Sequence, residues 1–135
     1  MAWQFNSTEP VFIQIAKRIR NDILAGKYAP DAQFPTVRFL ASEAGVNPNT
    51  MQKAFVYLEE EKLLYARGTV GRFVTGDTEV LRVARERMCR ETVRHFLEEA
   101  DALGISRDDL FRYLREEDYN NGYAGSYLQK SEKEL

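Results

Sequence analysis

Cysteine and histidine are nearly absent from this chain: its 135 residues hold one of each, Cys89 and His95. A single thiol excludes an intramolecular disulfide and suits a reducing compartment. One Cys and one His supply neither a zinc ligand set nor a nucleophile–base pair, so no metal, cofactor or catalytic centre is expected. Long apolar runs are missing too: nothing approaches the roughly 18 consecutive apolar residues of a membrane span. The opening stretch MAWQFNSTEP has no basic leader followed by an apolar core, the pattern of a secretory signal. Together these absences predict a cytoplasmic chain that binds and does not catalyse. A large charge of one sign is also lacking, since the formal net charge is −2. That balance at first argues against a nucleic-acid partner. Counted by segment it divides: nine Lys and Arg face seven Asp and Glu through residue 76, and ten face fourteen from 77 on.

The apolar spacing comes next. Phe12, Ile15, Ala16, Ile19 and Ile23 recur at helical intervals between Pro10 and Ala25, with Gly26 placed to end the helix. Tyr28 to Asp31 form a breaker segment that Pro35 closes. Thr36 then caps a short helix over 37–44, with Phe39, Leu40 and Ala44 expected to face inward, and Gly45 supplies a left-handed turn. Asn47 followed by Pro48 reads as a cap and a first-turn proline, which opens a third helix. Met51, Ala54, Phe55 and Leu58 follow its buried stripe, while Asn49, Gln52, Lys53, Val56 and Tyr57 project outward or flank the outer face. Glu59, Glu60 and Glu61 read as a solvated helix end.

Residues 63–66 and 72–75 read as two short strands joined by Gly68-Thr69-Val70-Gly71. A long helix over about 78–102 follows, its broken apolar stripe running through Val80, Ala84, Met88, Val93, Phe96, Leu97 and Ala100. Ser106 with Asp109 resembles a capping box for a last helix through about Glu116. The predicted fold is therefore mainly α with a small β wing: a winged helix-turn-helix over 1–76, a helical dimerisation region over 77–117, and a flexible polar tail over 118–135.

The segments PVFIQI at 10–15, ILAGKY at 23–28, FPTVRFLA at 34–41, GVNPNTMQKA at 45–54 and GRFV at 71–74 carry a resemblance. In order and spacing they resemble the GntR family of bacterial transcription regulators, and the N-P-N-T form with a short helical extension is similar to its YtrA subfamily. The resemblance implies a homodimeric DNA-binding regulator, a repressor, joined through the C-terminal helices; Val80, Ala84, Met88, Phe96 and Leu97 are the expected dimer residues. Arg38 matches the arginine of the family's P-S-x-R-x-L-A motif, with Thr36 in place of serine. Asn47, Asn49, Thr50, Gln52 and Lys53 occupy recognition-helix positions, and Arg67, Gly68 and Gly71 match the wing tip. Two departures matter. Pro48 stands where many members carry a base-reading arginine, and two residues separate the wing glycines where one is usual.

The chemistry of these side chains supports the same partner. Arg38 and Lys53 can neutralise phosphate or bond guanine edges, and Asn49 and Gln52 can pair with adenine. The N–H groups at the Asn47–Pro48 end can meet a phosphate, and Arg67 can enter the minor groove. Alternatives remain open at this level. Arg38 could pair with Glu43, the Gly68–Gly71 loop could be an ordinary hairpin turn, a small-molecule effector could gate the same regulator, or the winged module could be a protein-interaction scaffold.

Overall fold

Five helices and one hairpin follow from these signals in a computed structural model that describes residues 2–121: α1 Val11–Leu24, α2 Val37–Ala44, α3 Pro48–Glu60, β1 Leu64–Arg67, β2 Gly71–Val74, α4 Thr78–Ala102 and α5 Arg107–Asn120. Short polar side chains fix the starts of α2 to α5, because the first N–H groups of a helix have no partner inside it, whereas α1 begins after Pro10 with no side-chain cap. Thr36 accepts from the Phe39 N–H at 3.1 Å, Asn47 from Asn49 at 2.8 Å, and Ser106 from Asp109 at 3.2 Å. Asp77 does this for α4, taking the N–H groups of Glu79 and Val80 on one carboxylate oxygen.

The chain divides into two compact units between Met88 and Cys89, inside α4. In the first, Ile15, Ala16, Ile19 and Ile23 of α1 meet Leu40, Ala41 and Ala44 of α2 and Met51, Ala54, Phe55 and Leu58 of α3 in one buried core. Phe34 packs edge-on against Phe55, ring centroids 5.4 Å apart, and so closes the core beneath the wing. Phe39 departs from expectation, being 56% exposed. The α2 stripe runs through Leu40, Ala41 and Ala44, and a residue one step before Leu40 is rotated about 100° off it. Tyr57 departs the other way: it is half-buried against Phe12, with centroids 6.5 Å apart.

The wing pairs antiparallel from Leu64 opposite Val74 to Arg67 opposite Gly71. The breaker segment before α2 is more than a turn. Asp31 and Phe34 donate to Val74 and Arg72 carbonyls at 3.0 and 2.8 Å, and Val74 donates back to Ala32 at 2.9 Å. This stretch lines β2 on its second edge, so only one edge of the hairpin stays open.

Along α4, Val80, Leu81, Ala84 and Met88 pack against the core of the first unit. In the second unit Ala100 and Leu110 are buried, while Val93, Phe96, Phe111 and Tyr113 are exposed. The last helix continues past Glu116 to Asn120, so 118–120, expected in the tail, are helical; 122–135 lie outside the described residues. No helix among the described residues is long and apolar enough to cross a membrane.

Candidate nucleic-acid interface

The outward faces of α2, α3 and the wing carry the polar residues singled out in the sequence. Because the three elements bury their opposite faces in one core, those polar faces are held on a fixed frame. Arg38 is exposed on the first turn of α2 and, among the described residues, makes no ion pair with Glu43 or any other acid. Asn49, Gln52 and Lys53 are exposed along α3, and Thr50 is half-buried between them. The Lys53 ammonium lies 6.0 Å from the Phe12 ring centroid, so its stem runs along α1 while its charge stays at the surface.

Asn47 plays a different part from its neighbours. Its side-chain oxygen is committed to the Asn49 N–H, and its carbonyl takes the N–H groups of Thr50 and Met51 at 3.0 and 3.2 Å. Pro48 has no N–H to offer. The first-turn donors expected to meet a phosphate are thus mostly satisfied within the helix, and anion binding there falls to side chains.

At the wing tip, Val70 donates to the Arg67 carbonyl at 2.9 Å and closes a tight turn over Gly68, whose φ is +48°. Gly71 has φ +136°, a conformation reserved in practice for glycine. Gln33 braces the loop by donating to the Val70 carbonyl at 3.2 Å. Arg67 is exposed with its guanidinium 5.0 Å over Phe73, and the tip side chain Val70 is 65% exposed.

The glutamates at the end of α3 are not simply solvated. Arg20 of α1 holds Glu61 at 2.8 Å, and Arg72 of β2 holds Glu59 at 2.7 Å. Pairing offsets two of the three negative charges beside the recognition face, which local sequence inspection does not reveal. Arg72 is a functional candidate the sequence reading passed over, since a strand position in a hairpin gives no hint of what it reaches. Among the described residues there is no cluster of His, Cys, Asp and Glu able to hold a metal.

A capped recognition helix, a preceding short helix joined by a left-handed glycine, and a twisted hairpin define a winged helix-turn-helix protein. Comparison with known proteins agrees. The family model described as bacterial regulatory proteins, gntR family, matches residues 13–74. A transcriptional regulator of Mycobacterium tuberculosis, Rv1152, is 31% identical over 78% of this chain and 84% of its own length. The transcriptional repressor YtrA of Bacillus subtilis is 26% identical over 82% of this chain and 85% of its own. Among solved structures, a GntR family transcriptional regulator from Listeria monocytogenes superposes with a TM-score of 0.77 at 27% identity, covering 83% of this chain and 98% of the other. AraR(DBD) in complex with operator ORX1 superposes at 0.51 with 29% identity, covering 56% and 99%. The chain belongs to the gntR family of bacterial regulatory proteins. It is a DNA-binding transcriptional regulator and not an enzyme.

Proposed function

We propose that this regulator is a cytoplasmic repressor that grips a pseudo-palindromic operator as a homodimer. The observation that carries the DNA contact is the exposed pair Arg38 and Lys53, which make no ion pair among the described residues, while Glu59 and Glu61 at the end of α3 are held by Arg72 and Arg20. On this reading Arg38 and Lys53 contact phosphate or guanine, Asn49 and Gln52 read adenine, and Thr50 contacts the backbone. Arg67 enters the minor groove from the wing, where Gly68 and Gly71 let the main chain approach closely. Asn47 contributes by fixing where the helix begins. YtrA, similar over most of its length, is named a repressor, which supports that sign of regulation.

The homodimer is supported by the second unit, where Val93, Phe96, Phe111 and Tyr113 stay exposed within one chain. Val80, Ala84 and Met88 pack on the core of the first unit, so the seam we propose lies further along α4, at Val93, Phe96 and Leu97, and on α5. Two linked modules would read two half-sites spaced by about one or more helical turns.

The test is operator affinity across a salt series for Arg38→Ala and Lys53→Ala. Each lost phosphate contact should reduce the slope of log K against log salt by about 1. Unchanged affinity and slope would remove both residues from the interface. A second reading, effector gating, is favoured by a groove of about 460 Å³ lined by Cys89, Arg90, Val93, Arg94 and Leu97, which overlaps the proposed seam at Val93 and Leu97, so an occupant would compete with the second chain. Its mainly apolar lining suits a small apolar molecule. Release of operator DNA on titrating such compounds would support gating, and indifference to all of them would count against it.

A further inference from the structure

We propose that Arg72 is a positioning residue for base reading: from the second wing strand it orients Gln52 on the recognition helix and joins wing and helix into one reading surface. The proposal rests on Gln52 facing DNA, as argued above. The guanidinium donates from Nε to Glu59 at 2.7 Å and from Nη1 to the Gln52 side-chain oxygen at 3.4 Å, and lies 5.2 Å over the Phe55 ring. Residues 52, 55 and 59 share one α3 face, spaced at i, i+3 and i+7. One planar group from the neighbouring strand therefore spans two turns of the recognition helix.

The contacts divide the work. The short charged bond to Glu59 and the stacking on Phe55 fix the guanidinium, because a charge-assisted bond is shorter and stronger than a neutral one. The longer bond then orients the Gln52 amide. An exposed glutamine otherwise samples many rotamers and both amide orientations, and ordering it on binding costs entropy. With its oxygen turned toward Arg72, Gln52 presents its NH2 donors outward and keeps a second lone pair on that oxygen. That is the arrangement needed to donate to adenine N7 and accept from N6. Arg72, with its charge paired to Glu59, is a poor candidate for a phosphate contact of its own.

Duplexes enriched from a randomised pool by the full-length wild-type chain supply the operator. Affinities are then measured for that operator and each of its single-base-pair variants. Gln52→Ala should relax one position in each half-site. Arg72→Met should relax the same position about 3- to 10-fold, leave the others unchanged, and add little in the Gln52→Ala background. Arg72→Lys keeps the charge and stem but loses the fork, so it should relax that position as well. It also serves if the methionine variant folds poorly by circular dichroism. A loss of affinity uniform across all positions, with a shallower salt dependence, would make Arg72 a phosphate contact and overturn the proposal. An unchanged base profile in folded Arg72 variants would overturn it too, while Gln52→Ala still relaxing one position would leave the DNA reading intact. If no duplex is enriched, or Gln52→Ala alters no position, the reading of Gln52 itself fails and takes the proposal with it.

Discussion

Tyr65 donates its hydroxyl proton to Asp31 at 2.8 Å, tying the first wing strand to the segment that precedes α2. This bond to a carboxylate, aided by slight desolvation and by the negative charge of Asp31, raises the phenol above its ordinary 10.0. A group whose pKa rises on folding stabilises the fold fully below its unfolded pKa, and that contribution is lost as pH climbs through the folded value. Ultraviolet titration of the tyrosines should thus show a late component above pH 10, shared with Tyr28, which burial also raises, and Tyr65→Phe should lower its amplitude. An unchanged titration curve in that variant would break the assignment. Asn47 supplies a second residue-scale test. Because its side chain caps α3, Asn47→Ala should cost about 1 kcal/mol in denaturant unfolding. It should also weaken operator binding at every base position alike, since the cap fixes the start of the helix and reads nothing itself. Arg38→Ala and Lys53→Ala should act the opposite way, changing salt dependence with little effect on unfolding, because both residues are exposed and make no ion pair among the described residues.

At the scale of elements, the turn between α2 and α3 sets where the recognition helix points. Gly45 ends α2 at φ +72°, and a Cβ there would stand 2.8 Å from the side chain of Ala2 in the N-terminal arm. The arm is held close by the Trp3 N–H bonded to the Ala44 carbonyl at 3.1 Å and by Arg18 stacked 3.9 Å over the Trp3 ring. Gly45→Ala meets both a left-handed backbone and a collision, so it should destabilise the chain by at least about 1–2 kcal/mol and displace the arm. Thermal unfolding and Trp3 fluorescence check this, and a wild-type melting temperature with an unshifted spectrum would refute it. Elements were legible where their signals are local. Thr36, Asn47 and Ser106 mark their helix starts through bonds spanning two or three residues, and Gly45 marks an end. Phe39 was misplaced because a short helix offers too few turns to fix the phase of its stripe. The strand-like pairing of residues 31–34 with β2 was illegible, since its partners lie some forty residues on and no local pattern announces them.

For the whole molecule the question is how one weak reader becomes a specific one. The recognition helix carries Lys53 as its exposed cation, and Pro48 adds neither charge nor N–H at its start. The homodimer we propose would double the contacts, because linked half-sites bind with the effective concentration of a tether. Phe96 is 43% exposed within one chain, so if the proposed seam is there Phe96→Glu should abolish self-association while the helical content by circular dichroism is kept. Sedimentation of this variant at micromolar concentration should show a monomer, with a full operator bound much more weakly. A variant that stays dimeric would move the seam away from this face of α4.

By itself the sequence determined what acts within a helical turn: the caps, the glycine turns, the alternation that buries Met51, Ala54, Phe55 and Leu58, and so the winged module and its outward Asn49, Gln52 and Lys53. Those features depend on dihedral preference and period, which a linear string carries in full. The tertiary structure alone decided which charges meet. Arg20 reaches Glu61 across 41 positions, and Arg72 reaches Glu59 and Gln52 across 13 and 20. It also decided that Val80, Ala84 and Met88 pack, half-buried, against the first unit's core, while Phe96 stays exposed. The reason is common to these cases. A helix stripe says that a face will be covered, but only chain closure in three dimensions says by what.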